Sequence, residues 1–158
     1  MSSQIDTLAL AIKADLDLVT DVGVTYDHGL LPTTNDWADF VVALTTVIGG
    51  QRQVRAWTIQ YIDEKRAYRV LGNQKVMREI TFMIRAHLTM TATSETVFRG
   101  LLELAVTELD KDPSLGGAYI DHDACDVAVP DSGAGLFLGD ILCHYGEISL
   151  VARVEQTL

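Results

Sequence analysis

A chain of 158 residues, 48% hydrophobic and 22% charged with 3 Pro and 12 Gly, has the length and composition of one folded domain, which excludes a collagenous or disordered chain and a large two-domain enzyme. The net charge of -10, from 22 acids against 12 bases, argues against an independent nucleic-acid binder, whose phosphate contacts need clustered Lys and Arg. Mean hydropathy is +0.18, yet charge or Gly breaks every apolar run short of the roughly 18 residues that cross a bilayer, so no membrane span is expected.

Residues 3–17 begin with Ser3 three positions before Asp6, the spacing of a capping box, and bring Ile5, Leu8, Ala9, Ile12 and Leu16 to one face, which predicts an amphipathic helix. Asp6 and Asp15 flank its apolar stretch without a basic leader, so the segment reads as part of the mature fold and assembly is expected inside the cell. Val22, Val24 and Tyr26 alternate with Gly23 and Thr25, a short strand that the DHGLLP segment stops. Thr34 or Asn35 is placed to cap a second helix over 35–48, where Trp37, Phe40, Val41, Leu44, Val47 and Ile48 recur at helical spacing up to Gly49 and Gly50.

Residues 78–90 alternate most strictly: Ile80, Phe82, Ile84, Ala86, Leu88 and Met90 face one way, and Glu79, Thr81, Arg85, His87 and Thr89 the other. The expected partner is 53–62, with Trp57, Ile59 and Tyr61 on one side, and 63–76 between them makes a long basic hairpin arm turning near Gly72 and Asn73. Ser94 is expected to cap a long helix carrying Val97, Phe98, Leu101, Leu102, Ala105 and Leu109, stopped by Asp112, Pro113, Gly116 and Gly117. Two strands close the chain, one over 118–129 and one over 141–155 in which Ile148, Leu150, Ala152 and Val154 alternate with polar residues, with PDSGAG as the turn between them. Antiparallel strands interrupted by helices predict an α+β fold: a single domain over 1–158, a mostly antiparallel sheet with helices packed on one face, and a long protruding β-hairpin.

The chemistry-bearing residues do not assemble into a known catalytic signature. His122, Cys125, Cys143 and His144 invite a zinc reading, but strand neighbours point to opposite faces, so Cys143 and His144 are expected apart, as are His122 and Cys125 unless a bulge intervenes. Gly133, Gly135 and Gly139 echo a dinucleotide fingerprint without the βαβ unit that would follow it. No GxxxxGK[ST], GxSxG, HExxH or CxxC string occurs, and Cys125 and Cys143 fit a reducing compartment or one optional bridge. Neither a catalytic group, a cofactor site nor a metal site is therefore expected; the competing enzymatic or ligand-binding reading rests on His87 beside Arg85 on one face of the best strand.

Charge is unevenly distributed. Residues 1–50 carry a net -6, residues 51–100 a net +5 and residues 101–158 a net -9, a pattern that suits head-to-tail self-association. On the arm, Lys65, Arg66, Arg69, Lys75 and Arg78 read as solubilising charges or as contacts to an acidic neighbouring subunit.

The element order and four strings, RAWTIQYID (55–63), REITFMIRAHL (78–88), FRGLLELAVTELDKDPSLGG (98–117) and LCHYGEISLVARVE (142–155), resemble the tail terminator, or tail completion, proteins of long-tailed bacteriophages. The resemblance implies a virion structural protein of the head-proximal end of the tail, assembled in the host cytoplasm. It implies a homo-oligomeric ring, usually of six copies, that binds the tail tube protein, ends tube growth and offers a docking face for a neck or connector protein. DNA would pass through the lumen without specific binding, and Asp121, Asp123 and Asp126 are the expected lumen-facing acids, since attraction to phosphate would hinder passage. Another neck ring, a connector or stopper, shares this size and acidity.

Overall fold

A computed structural model describes residues 3–28, 41–68, 74–117, 120–130, 136–138 and 141–158. The first helix, α1 (Gln4–Leu16), starts where its sequence says it should. The Asp6 N–H donates to Ser3 Oγ (3.1 Å) and the Ser3 N–H donates back to Asp6 Oδ2 (2.9 Å), satisfying two backbone donors that a helix start otherwise leaves without partners. Its buried face is Leu8, Ala9, Ile12 and Leu16. The chain then reverses through Asp21 (φ 58°) and Gly23 (φ 93°) into the short strand β1 (Val24–Tyr26).

Residues 41–43 are helical, but 45–48 form a strand, β2 (Thr45–Ile48), where the periodicity predicted a helix running to Ile48. Gly49 and Gly50 do not stop a helix. Both have positive φ (60° and 77°), and Ile48 pairs with Gln51, the geometry of a two-residue type I′ hairpin turn whose twist matches its strands. The β-branched run Thr45, Thr46, Val47, Ile48 favours the pleated surface over the helix. The remainder of the predicted helix, 35–40, lies outside the described residues.

Strand β3 (Gln51–Tyr68) and strand β4 (Lys75–Thr89) form the expected antiparallel hairpin, and β8 (Ile141–Thr157) runs antiparallel to β4 along its whole length, from Lys75↔Thr157 to Thr89↔Cys143. The hairpin is therefore not a free two-stranded arm. It is the outer two-thirds of a three-stranded plate, and its expected turn at Gly72 and Asn73 lies outside the described residues. The helix α2 (Ser94–Lys111) follows β4, and strands β5 (Ile120–His122), β6 (Asp126–Ala128) and β7 (Leu136–Leu138) lie antiparallel along the far edge of β8. The predicted continuous strand over 118–129 is broken at Asp123–Cys125.

Among the described residues the sheet has eight strands in the order β1-β3-β4-β8-β5, with β2 also on β3 and β6 and β7 also on β8; only β1 is parallel to its neighbour. This is the mostly antiparallel α+β architecture that the sequence predicts. Among the described residues α1 and α2 cover one face. Their apolar stripes pack on Trp57 and Ile59 of β3, on Ile80, Phe82, Ile84, Ala86 and Leu88 of β4, and on Ile148, Leu150, Ala152 and Val154 of β8. Each of the buried Ile, Leu, Val and Phe side chains contributes roughly 1.5–3 kcal/mol by leaving water, which is what holds helices to sheet. Gly146 lets α2 approach: a Cβ there would lie 3.0 Å from Phe98 Cζ and 3.2 Å from Leu102 Cδ1. A smaller apolar cluster, Leu44, Val54, Ala56 and Cys143, sits on the opposite face near β2. No described helix is long and apolar enough to cross a membrane.

Candidate functional site

Three groups of polar side chains stand out, one under the helices, one on the opposite face of the sheet and one at its two edges. Under the helices, His122, Cys125 and Asp110 place ligand-type atoms within 4.8 Å of one another. His122 and Cys125 come together because the chain leaves the sheet at Asp123–Cys125 and curls under the end of α2, the kind of interruption that lifts the expected separation. Cys143 and His144 do point to opposite faces as expected.

The cluster is occupied with its own contacts. His122 Nε2 lies 3.0 Å from the Leu109 carbonyl and 3.1 Å from that of Asp112, and Nδ1 lies 2.6 Å from that of Asp123. Carbonyl oxygens only accept, so the tautomer with its N–H on Nε2 caps the last carbonyls of α2, and a neutral imidazole, which carries one N–H, does not also donate at Nδ1. Burial first, then the neighbouring Asp110 carboxylate, push the Cys125 thiol up to about 12, so on its own it stays a thiol at neutral pH.

Asp15 belongs to the same region. It is buried at the end of α1 with Oδ2 lacking a partner, and burial together with the Asp112 carboxylate pushes its carboxyl up to about 6. A carboxyl raised above its unfolded value adds stability below pH 4 that fades as pH rises through about 6. Asp15→Asn is expected to remove that slope and to be more stable than the parent at pH 8 by about 1 kcal/mol after allowance for solvent screening, with no gain at pH 4. Thermal melts of both proteins at pH 4, 6 and 8 test this, and parallel curves would refute it.

On the face away from the helices, Arg85 Nε donates to Tyr145 Oη (3.0 Å), which donates to Glu147 Oε1 (2.7 Å), and Arg85 also holds Gln60. His87 lies beside this network, its ring 5.3 Å from that of Tyr145. Burial first, with help from the Arg85 charge, drives its pKa down to about 4, and its Nδ1 has no partner. At neutral pH this imidazole is uncharged and weakly basic, a poor match to a general base that works best near the operating pH. The open hollow of about 210 Å³ that is described lies away from these residues, at the arm, lined by Arg66, Ala67, Val76 and Leu158.

The arm cations divide. Arg78 forks onto Glu64 (2.8 and 2.9 Å) and also reaches Gln4, and this pairing holds the Glu64 carboxyl below its usual range. Arg66 meets Glu64 (3.3 Å) and Gln156 (2.9 Å), and Lys75 meets Glu155 (2.8 Å). Lys65 is exposed and forms no ion pair among the described residues; Arg69 lies outside them. Of the predicted acids, Asp121 and Asp123 both grip Arg153 (2.8 and 2.9 Å) on the β5–β8 edge, and Asp126 on β6 forms no ion pair among the described residues.

Sequence reasoning missed the order behind these pairs. Lys65 on β3 is the register partner of Glu79 on β4, Glu79 of Arg153 on β8, and Arg153 of Asp121 on β5. Directly opposed residues share a face, so a row of alternating sign runs across the sheet from Lys65 at one edge to Asp121 at the other. Equal spacing of charged positions on the polar side of each strand was the signal available, but it is readable only once the register is known. Compared with known proteins, the sequence matches no family model and no curated protein.

Proposed function

We propose that the chain is a structural subunit of a bacteriophage virion. In this reading it forms a ring, usually of six copies, at the head-proximal end of the tail tube, ends tube polymerisation and joins the tail to a neck protein while DNA passes through the lumen. The observation that favours it most is where the strings resembling tail terminators fall: RAWTIQYID lies on β3, REITFMIRAHL on β4, FRGLLELAVTELDKDPSLGG on α2 and the turn after it, and LCHYGEISLVARVE on β8. Those elements are the three-stranded plate and the helix packed on it, so the resemblance covers the framework of the fold. Arg85, Tyr145 and Glu147 on this framework are engaged with one another, and a row of alternating charge crosses its sheet from edge to edge, which suits a part built to assemble.

The test is native mass by sedimentation velocity with the cognate tail tube protein present and absent, with electron microscopy of the mixtures. A closed ring, alone or on tube ends, and shorter tubes in its presence are expected. A ring that ignores tubes and binds portal or adaptor rings would replace the terminator role with that of a neck stopper. A monomer under every condition would overturn the ring altogether.

A further inference from the structure

The outer edge of β3 is half covered. β2 pairs with residues 51–54 and β1 with 56–58, and from Ile59 to Tyr68 no described strand pairs with it. Gln60, Tyr61, Ile62, Asp63 and Lys65 are exposed there, Tyr61 by 43% and Ile62 by 45%. Over these ten residues the backbone donors and acceptors that point away from β4 are a template for another strand. The opposite edge of the sheet, formed by β5 and β6, carries Asp121, Asp126 and an exposed Val127.

We infer that the occupant of the β3 edge is the β5–β6 edge of a second copy of this chain, so that neighbouring subunits join into one continuous sheet. Three features match. The charge row ends in Lys65 at one edge and Asp121 at the other, so a second copy set beside the first in the same orientation carries the alternation on, Asp121 of one copy meeting Lys65 of the next. Apolar side chains lie at a matching level: Val127 is opposite Ile148, Ile148 opposite Ile84 and Ile84 opposite the buried Ile59, so the exposed Val127 falls one same-face step from the exposed Tyr61, just where β1 ends at Thr58. Direction agrees as well. β5 and β6 run antiparallel to β8, β8 to β4 and β4 to β3, so the β3 of a second copy in the same orientation runs antiparallel to β5 and β6, the relation the rest of the sheet already uses.

Such a contact joins two different surfaces, so it propagates head to tail and closes when the rotation between copies is a simple fraction of a turn. The inference deepens the ring reading and rests on it for closure. Lys65→Glu and Asp121→Lys, made singly in the full chain, each put like charges across the joint, and each is expected to weaken self-association at least 10-fold in sedimentation velocity. Mixing the two variants in equal amounts restores opposite charges at every joint and is expected to restore the oligomer. Parent and both single variants all forming the same ring would overturn the edge contact while leaving the ring reading intact; a parent that stays monomeric, alone and with tail tubes, would overturn the ring reading and the contact with it. If a charge variant fails to fold by circular dichroism, the chain carrying Lys65→Cys together with Asp121→Cys decides. Oxidation is expected to give a ladder of dimers, trimers and higher multimers that the parent does not give, and its absence would refute the contact.

Discussion

Gly23→Ala is expected to cost more than about 3 kcal/mol and to lower Tm by on the order of 10 °C in a protein of this size. Gly23 has φ 93°, where an L side chain is strained, and a Cβ built there would lie 2.2 Å from the Arg55 carbonyl oxygen. The obstruction is backbone of β3, which cannot rotate away as a side chain would. Relief requires β1 to lift from β3, which would break the parallel pairing of Val24–Tyr26 with Ala56–Thr58. A thermal melt by circular dichroism measures this, and a Tm within 2 °C of the parent would show that the turn at 21–23 is not held against β3.

Trp57→Ala should cost about 3–5 kcal/mol, a large share of the 5–15 kcal/mol by which small domains are stable. Trp57 is 1% exposed, packs in the main core and donates its indole N–H to the Val22 carbonyl (2.8 Å), so truncation opens a cavity and strands a buried acceptor. Trp57→Phe separates the two effects: it keeps most of the packing, loses the hydrogen bond, and should cost about 1–2 kcal/mol. Urea unfolding midpoints of the three proteins test the division. Equal losses for Ala and Phe would mean that the hydrogen bond dominates and the packing does not.

The elements that declared themselves in the sequence are those whose pattern has one physical cause. Residues 78–90 alternate because one face of β4 lies under two helices, and the stripe from Phe98 to Leu109 repeats because α2 lies on the same surface. Ser3 and Asp6 cap α1 through contacts within one turn, which spacing alone reveals. Elsewhere one string satisfies two templates. Leu44, Val47 and Ile48 fit a helical stripe, but Gly49 and Gly50 adopt the left-handed conformation that folds β2 back on β3, and a helix stop and a hairpin turn both ask for glycine. His122 and Cys125 meet because the strand breaks between them, and periodicity assumes an unbroken strand. The β-bulge between Tyr61 and Asp63, which removes Ile62 from the β4 register and sets Lys65 on the face of Glu79 and Arg153, is likewise invisible until the strands are paired. Charge composition showed that the thirds of the chain differ in sign; only the register shows that four of those charges form a row.

β8 is the common partner of β4, β5, β6 and β7 and follows all of them in the chain. Its pairing with β4 joins segments more than 50 residues apart, a non-local closure that makes folding slow relative to helical proteins of the same length. During synthesis β4 therefore waits with one long side bare, displaying Ile80, Phe82 and Ile84 in an alternating run of high β-propensity until residues 141–157 leave the ribosome. The nascent chain is most exposed to aggregation in that interval, and the charges that flank those apolar residues, Glu79 before them and Arg85 after, act as gatekeepers until β8 arrives.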